Sequence, residues 1–148
     1  MGKLILSIAV IQLVNALGLS PIITTASLKH EEFLKSLGAT YVFDRNTLAA
    51  SLHDEIKKIA NAPIKHVFDT VSSQETQQFG HDLLVSGGQL AIVTALKIKI
   101  ANDKTSLHVF GSRGVPENHE LLKIMFSKLT GWLEEGVVVV CSTLFLIN

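Results

Sequence analysis

The chain is poor in the residues that announce a special class. It has one cysteine, one tryptophan, one tyrosine and three prolines in 148 residues. A lone cysteine, Cys141, cannot close an internal disulfide. That removes the disulfide-stapled scaffolds and suits a reducing cytoplasmic setting. Charge of either sign is not in excess, since 13 Lys+Arg balance 13 Asp+Glu. Without a basic block or stripe, nucleic acid and anionic membrane surfaces make poor partners. The six histidines (His30, His53, His66, His81, His108, His119) never pair at zinc-ligand spacing, so no metal site is expected. Long apolar runs are missing too. LILSIAVIQLV is broken by Ser7, Gln12 and then Asn15, and the run Val137 to Ile147 is also short of a bilayer span.

What is present describes one packed domain: 47% hydrophobic and 18% charged residues over a length able to bury a core. Residues 4–17 are apolar nearly all round, as in a helix buried against a sheet. Lys3 with the apolar run behind it also has the outline of a secretory leader, with Ala16-Leu17-Gly18 as a cleavage site. The helix reading is preferred because the next segment reads as its partner strand.

That segment, PIITT (Pro21–Thr25), is apolar and β-branched, as a strand covered on both faces should be. Ser27 is placed to cap a short helix ending at Gly38, with Glu31 and Glu32 near its positive end. Tyr41–Phe43 is the next strand. Leu48, Leu52, Ile56 and Ile59 recur at helical spacing, and Asn61-Ala62-Pro63 breaks that helix. Ile64–Phe68 is a strand ending in Asp69, and Ser72-x-x-Glu75 reads as a capping box for a further helix. Gln89–Val93 and Leu107–Phe110 are strands, and Lys97–Ile100 alternates like a short exposed one. Pro116 opens a long helix to Glu135 whose inner stripe is Leu122, Met125, Phe126, Leu129, Trp132 and Leu133. Val137–Leu146 is strongly strand-like. Strands alternating with helices imply an α/β fold, a Rossmann-like, doubly wound, mostly parallel sheet flanked by helices.

Six pieces in this order are the most specific feature: IQLVNALGL (11–19), TTASLKHEEFLKSLGATYVFD (24–44), HVFDTVSSQET (66–76), SGGQLAIV (86–93), VFGS (109–112) and LTGWLEEG (129–136). The pattern resembles the cofactor domain of the medium-chain dehydrogenase/reductase family, especially its zinc-independent quinone-reductase-like and fungal trans-enoyl-reductase-like members. The resemblance implies an NADP(H)-binding domain of an oxidoreductase that transfers hydride to an enone, quinone or carbonyl.

It also implies particular cofactor contacts. Ser27 and Lys29 match the family's Ser-x-Lys at the 2′-phosphate of NADPH, and Arg45 stands where a tyrosine is common but can pair with phosphate. The competing reading makes Ser27 a helix cap and the two cations solvated surface. Asp69, Val71 and Ser72 would border the adenine ribose or nicotinamide, and Val93, Thr94 and Ala95 the nicotinamide. Their competing readings are a capped turn and core packing. Phe110 and Gly111 belong to an edge strand, Leu107 to Gly111, through which such domains form homodimers. No catalytic residue is assigned.

The family's glycine-rich loop should occupy about Met1 to Ser7, where Gly2 matches one glycine and Ser7 replaces another. The strand before that loop and the separate catalytic domain have no counterpart. Activity of the chain alone is therefore expected to be weak or nil, and a non-catalytic interaction or dimerisation module is the alternative. A missing central strand would leave unpaired backbone. Either Val137–Leu146 fills the place, or Lys3–Ile8 becomes the strand.

Overall fold

The computed structural model describes residues 2–60, 62–112 and 114–139, with backbone alone for residues 2–6. Ten elements follow in chain order: α1 (Gly2–Ala16), β1 (Ile23–Ala26), α2 (Glu31–Ser36), β2 (Tyr41–Asp44), α3 (Ala49–Ile59), β3 (His66–Asp69), α4 (Gln74–Leu83), β4 (Gln89–Ile92), β5 (Thr105–His108) and α5 (His119–Glu134). The alternation is the Rossmann-like α/β order that the sequence implies. Every strand pairing is parallel.

The strands form two sheets, β1 with β2 and β3-β4-β5. Helices bridge them on both faces. On one, Ile8 and Ile11 of α1 are buried with Ile22, Leu34, Leu37 and Ala39, against Ala26 and Val42. Ser7 of the same helix shares a 2.9 Å hydrogen bond with Thr70, just past β3. On the other, Leu52 and Ile56 of α3 and Leu83 of α4 cluster with Ile23 and Phe43 from one sheet and Ile64, next to the other. Leu84, Leu90 and Ile92 complete the interior. Fully burying a side chain such as Leu34 or Leu90 contributes about 1.5–3 kcal/mol.

Two close approaches explain glycines. Gly38 has φ +114°, and a Cβ there would lie 2.5 Å from the Asn15 side chain at the end of α1. A Cβ on Gly80 would lie 2.9 Å from Val67, so α4 sits directly on β3.

Several expectations need correction. Residues 3–8 are helical, not a replacement first strand, because α1 runs unbroken from Gly2. Lys97–Ile100 is not a strand: Ile98 and Ile100 pack under Leu84 and Leu90 while Lys97 is tied to α4. The stripe of α5 is only half covered. Leu122, Met125, Leu129 and Trp132 are partly buried, but Phe126 and Leu133 are exposed, as are Leu121 and Ile124. Val137 and Val138 form a bend and Val139 is irregular, and the rest of the expected strand lies outside the described residues.

Candidate functional site

Parallel strands deliver their C-terminal ends to one edge, where ligands of open α/β sheets bind. Two kinds of loop meet that edge. The loops after β3 and β4 are closed by their own side chains. Asp69, 7% exposed, accepts the N–H groups of Val71 (2.9 Å) and Ser72 (2.8 Å) on Oδ1, and the Thr76 hydroxyl (2.7 Å) on Oδ2. Ser72 is fully buried with φ +52°, a left-handed conformation unusual outside glycine. Its hydroxyl donates to the Asp69 carbonyl (2.8 Å) and accepts the Val93 N–H (3.0 Å). Its carbonyl accepts the Thr94 hydroxyl (3.0 Å) and the Lys97 ammonium (2.9 Å). These bonds offset a backbone strain of roughly 1–3 kcal/mol.

Buried Gln77 completes the lock. Its amide donates to the Ala95 carbonyl (3.0 Å) and its Oε1 accepts the Lys97 N–H (2.8 Å). Gln77 and Lys97 were not among the expected site residues. The signal for Gln77 was available, since it shares a helical stripe with Gly80 and Leu84. The capping box also moves one residue. Ser73 caps α4, exchanging hydrogen bonds with Thr76, because Ser72 is engaged with β4. Of the expected residues here, Asp69 and Ser72 use their side chains to build the turn. Val71 is exposed beside it.

The ends of β1 and β2 differ. Ala26 pairs with Asp44, and the Arg45 N–H extends the ladder to the Ala26 carbonyl (3.0 Å), so Ser27 and Arg45 leave adjacent strands side by side. Ser27 occupies the cap position of a 3-10 turn, Leu28–His30, yet its hydroxyl makes no capping bond. Its N-cap reading therefore explains its position but not its hydroxyl. Lys29 and Arg45 are exposed. Among the described residues none of these three side chains has a hydrogen bond or ion pair, whereas nearby Glu31 is held by Lys35 at 2.7 Å. No carboxylate lies between Ile22 and His30.

Gly2 and Ser7 lie within α1 rather than in a loop. Backbone N–H groups at the start of that helix are the donors nearest in kind to a phosphate cradle. Phe110 and Gly111 are exposed beyond β5. A shallow cavity of about 720 Å³ lies between α3 and α4, lined by Ala49, His53, Gln78 and Asp82 among others, and includes no expected cofactor contact. Among the described residues no cluster of His, Cys, Asp and Glu could hold a metal ion, and no helix is long and apolar enough to cross a membrane.

Comparison with known proteins points the same way. Residues 6–127 match the family model described as zinc-binding dehydrogenase. An uncharacterized Saccharomyces cerevisiae protein, YNL134C, is 36% identical over 119 residues, 72% of this chain and 31% of that one. Trans-enoyl reductase TOXD of Cochliobolus carbonum is 33% identical over 82 residues, 55% of this chain and 27% of that one. The structure of mycobacterial Rv1454c complexed with NADPH superposes with a TM-score of 0.68 at 16% identity, covering 90% of this chain and 43% of that one. At that identity the likeness shows the fold. The chain spans less than half the length of each of these proteins.

Proposed function

The chain belongs to the zinc-binding dehydrogenase family, as part of its nucleotide-binding domain, and from that premise we propose that it holds NADPH by the 2′-phosphate. One observation carries the reading: Ser27, Lys29 and Arg45 stand at adjacent strand ends as one hydroxyl and two cations without protein partners among the described residues. A phosphate monoester on the adenine ribose satisfies such a set, and a guanidinium can bind it through two parallel hydrogen bonds. A carboxylate at this place would instead favour the free ribose diol of NADH. The group fits the residues present. The NADPH seen in the mycobacterial structure supports the same cofactor class here.

The bound nicotinamide would supply hydride to a carbon electrophile such as an enone, quinone or carbonyl. This chain's own part is to bind and orient. Ser27, Lys29 and Arg45 hold the phosphorylated ribose, and the first turn of α1 offers N–H donors to the pyrophosphate. The loops carrying Val71, Val93 and Thr94, fixed by Asp69 and Ser72, form the floor for the remainder.

A second reading has its own observation. Leu107, Phe110, Leu121, Ile124 and Phe126 are each more than half exposed. Exposed apolar side chains at Leu107 and Phe110, with the open edge of β5, suit a homodimer through Leu107–Gly111. In that reading the domain is an interaction module in the cytoplasm that no longer needs nucleotide.

Titration of NADPH, NADH and 2′,5′-ADP into the purified chain separates the two. NADPH and 2′,5′-ADP should bind at least five-fold more tightly than NADH, and Lys29→Ala should abolish the preference. Equal affinities, or no binding at millimolar NADPH, would overturn the cofactor reading and leave the module.

A further inference from the structure

We propose that His81 is a pH-sensitive latch: it holds the crossover between β4 and β5 to α4 while its ring is neutral, and releases it when the ring takes a second proton. The crossover, residues 93–104, is gripped by two side chains of α4 that stand four residues apart and so share a helix face. Gln77 binds its first part, through the Ala95 carbonyl and the Lys97 N–H. His81 binds its second part. The Ala101 N–H reaches Nε2 of the ring at 3.3 Å, and the Lys104 ammonium reaches the His81 carbonyl at 2.9 Å. Between these ties, Ile98 and Ile100 pack against the cluster of Leu84, Leu90 and Ile92.

The partners assign the ring proton. A backbone N–H can only donate, so Nε2 must present the lone pair that accepts it. The proton of the neutral ring then sits on Nδ1, which lies 3.1 Å from Oδ1 of Asp82, an acceptor. The side chain is only 12% exposed, so water is a poor substitute for either bond. A second proton must go to Nε2, where it meets the Ala101 N–H, donor against donor. The Gln77 grip has no such weakness, because an amide does not titrate.

The surrounding charges set the direction. Asp82 draws positive charge to the ring, and so does the C-terminal end of α4. Both belong to the helix that carries His81 and stay beside it in either state. The same is true of Gln78, bound to Asp82 at 2.8 Å. From α3, His53 reaches the Asp82 carbonyl at 3.4 Å, and Asp54 shares a cavity with Asp82 and Glu75; these too do not travel with the crossover. What leaves with the crossover is the Ala101 N–H and its cations. Lys99 lines a cavity of about 360 Å³ with His81, Ile100, Ala101 and Asn102. Lys104 sits on the His81 carbonyl, and Lys97 is occupied at the Ser72 carbonyl. Asp103, the one carboxylate of the crossover, is exposed and does not line that cavity. A donor and two cations thus oppose a charged ring only while the crossover is held. The held state therefore binds fewer protons than the released one, and its share falls as pH falls through the imidazole range, about pH 6–7.

The test uses the intact chain without nucleotide, so its outcome is separate from that of the cofactor titration. Long-range nitrogen–proton NMR at about pH 7.5 should place the His81 proton on Nδ1. Ala101 amide exchange, corrected for the intrinsic effect of pH, should lose at least five-fold in protection between about pH 7.5 and 5.5, in step with the ring signals of His81. The Lys97 amide, held by Gln77, should lose less. In His81→Gln, whose side chain does not titrate, the Ala101 change should be absent. Four results would each overturn the proposal: a proton on Nε2, a loss at Ala101 below five-fold, an equal loss at Lys97, or the same fall in His81→Gln. Should that variant not fold, the three measurements on the parent decide.

Discussion

The strand ends after β3 and β4 differ sharply from those after β1 and β2, although all lie along the same edge of a parallel fold. In the first pair, the side chains of Asp69, Ser72, Gln77, Thr94 and Lys97 are bound to protein groups at 2.7–3.0 Å. In the second pair, Ser27 leaves its hydroxyl out of the turn it caps, and Lys29 and Arg45 stand exposed. The contrast separates polar groups that specify the fold from polar groups that the fold does not use, which the proposed function assigns to a phosphate. A buried polar group must be satisfied by the protein. A cation exposed at the end of a strand carries no such obligation.

The strongest test of this contrast is Asp69→Ala, which leaves three donors around one buried position. Hydrogen bonds to a charged acceptor contribute about 1.5–3 kcal/mol each, with overlap within a network. We expect a loss of about 3 kcal/mol in urea unfolding. A loss below about 1 kcal/mol would mean that the loop after β3 is no more fixed than the one after β1.

Gly38→Ala probes the other half through packing. It combines a positive φ with a Cβ 2.5 Å from Asn15, and should cost about 2 kcal/mol. Adding Asn15→Ala should recover part of that, because only the steric share is relieved. If the double variant is no more stable than the single one, the backbone angle alone sets the cost. Lys29→Ala, by contrast, should weaken NADPH binding about five- to ten-fold while changing stability by less than about 0.5 kcal/mol. A stability loss comparable to that of Asp69→Ala would erase the distinction.

How much of this was legible in the sequence follows the same division. The order of elements was readable because periodicity and turn residues are local, as in PIITT or the Leu52–Ile56 spacing. The position of Ser27, Lys29 and Arg45 at strand ends was readable because it needs only the strands. The role of Ser72 was not. Its left-handed backbone depends on Val93 and Thr94, some twenty residues away, so Ser72-x-x-Glu75 passed for a cap that Ser73 makes instead. Lys97–Ile100 had the alternation of a strand, but Gln77 and Ser72 claim Lys97 first. The α5 stripe was readable as helix but not as half-exposed, since periodicity says which residues share a face and not whether another element covers it.

The smallest expected effect lies on the outer side of the closed half, at Asp82. Partial burial raises its carboxyl, but hydrogen bonds from His81 and Gln78 and the charges of His81 and Lys104 outweigh that and set it below its ordinary value of 3.8. The Gln78 amide lies at 2.8 Å and the His81 ring at 3.1 Å. A carboxyl lowered in the folded state binds protons less readily there than in the unfolded chain, so it stabilises above the unfolded value. That contribution fades as pH falls below about 4, through the folded value. Because the side chain is 51% exposed, solvent screens it, and the contribution is below about 1 kcal/mol. Asp82→Asn should therefore be slightly less stable than the parent at pH 6, and the gap in unfolding midpoint should narrow steadily as the pH is lowered below about 4. A gap that widens on acidification would reverse the sign and place the titrating group elsewhere. Lys29→Ala in the same series should track the parent at every pH, because an exposed cation with no carboxylate partner has nothing to lose when carboxylates protonate.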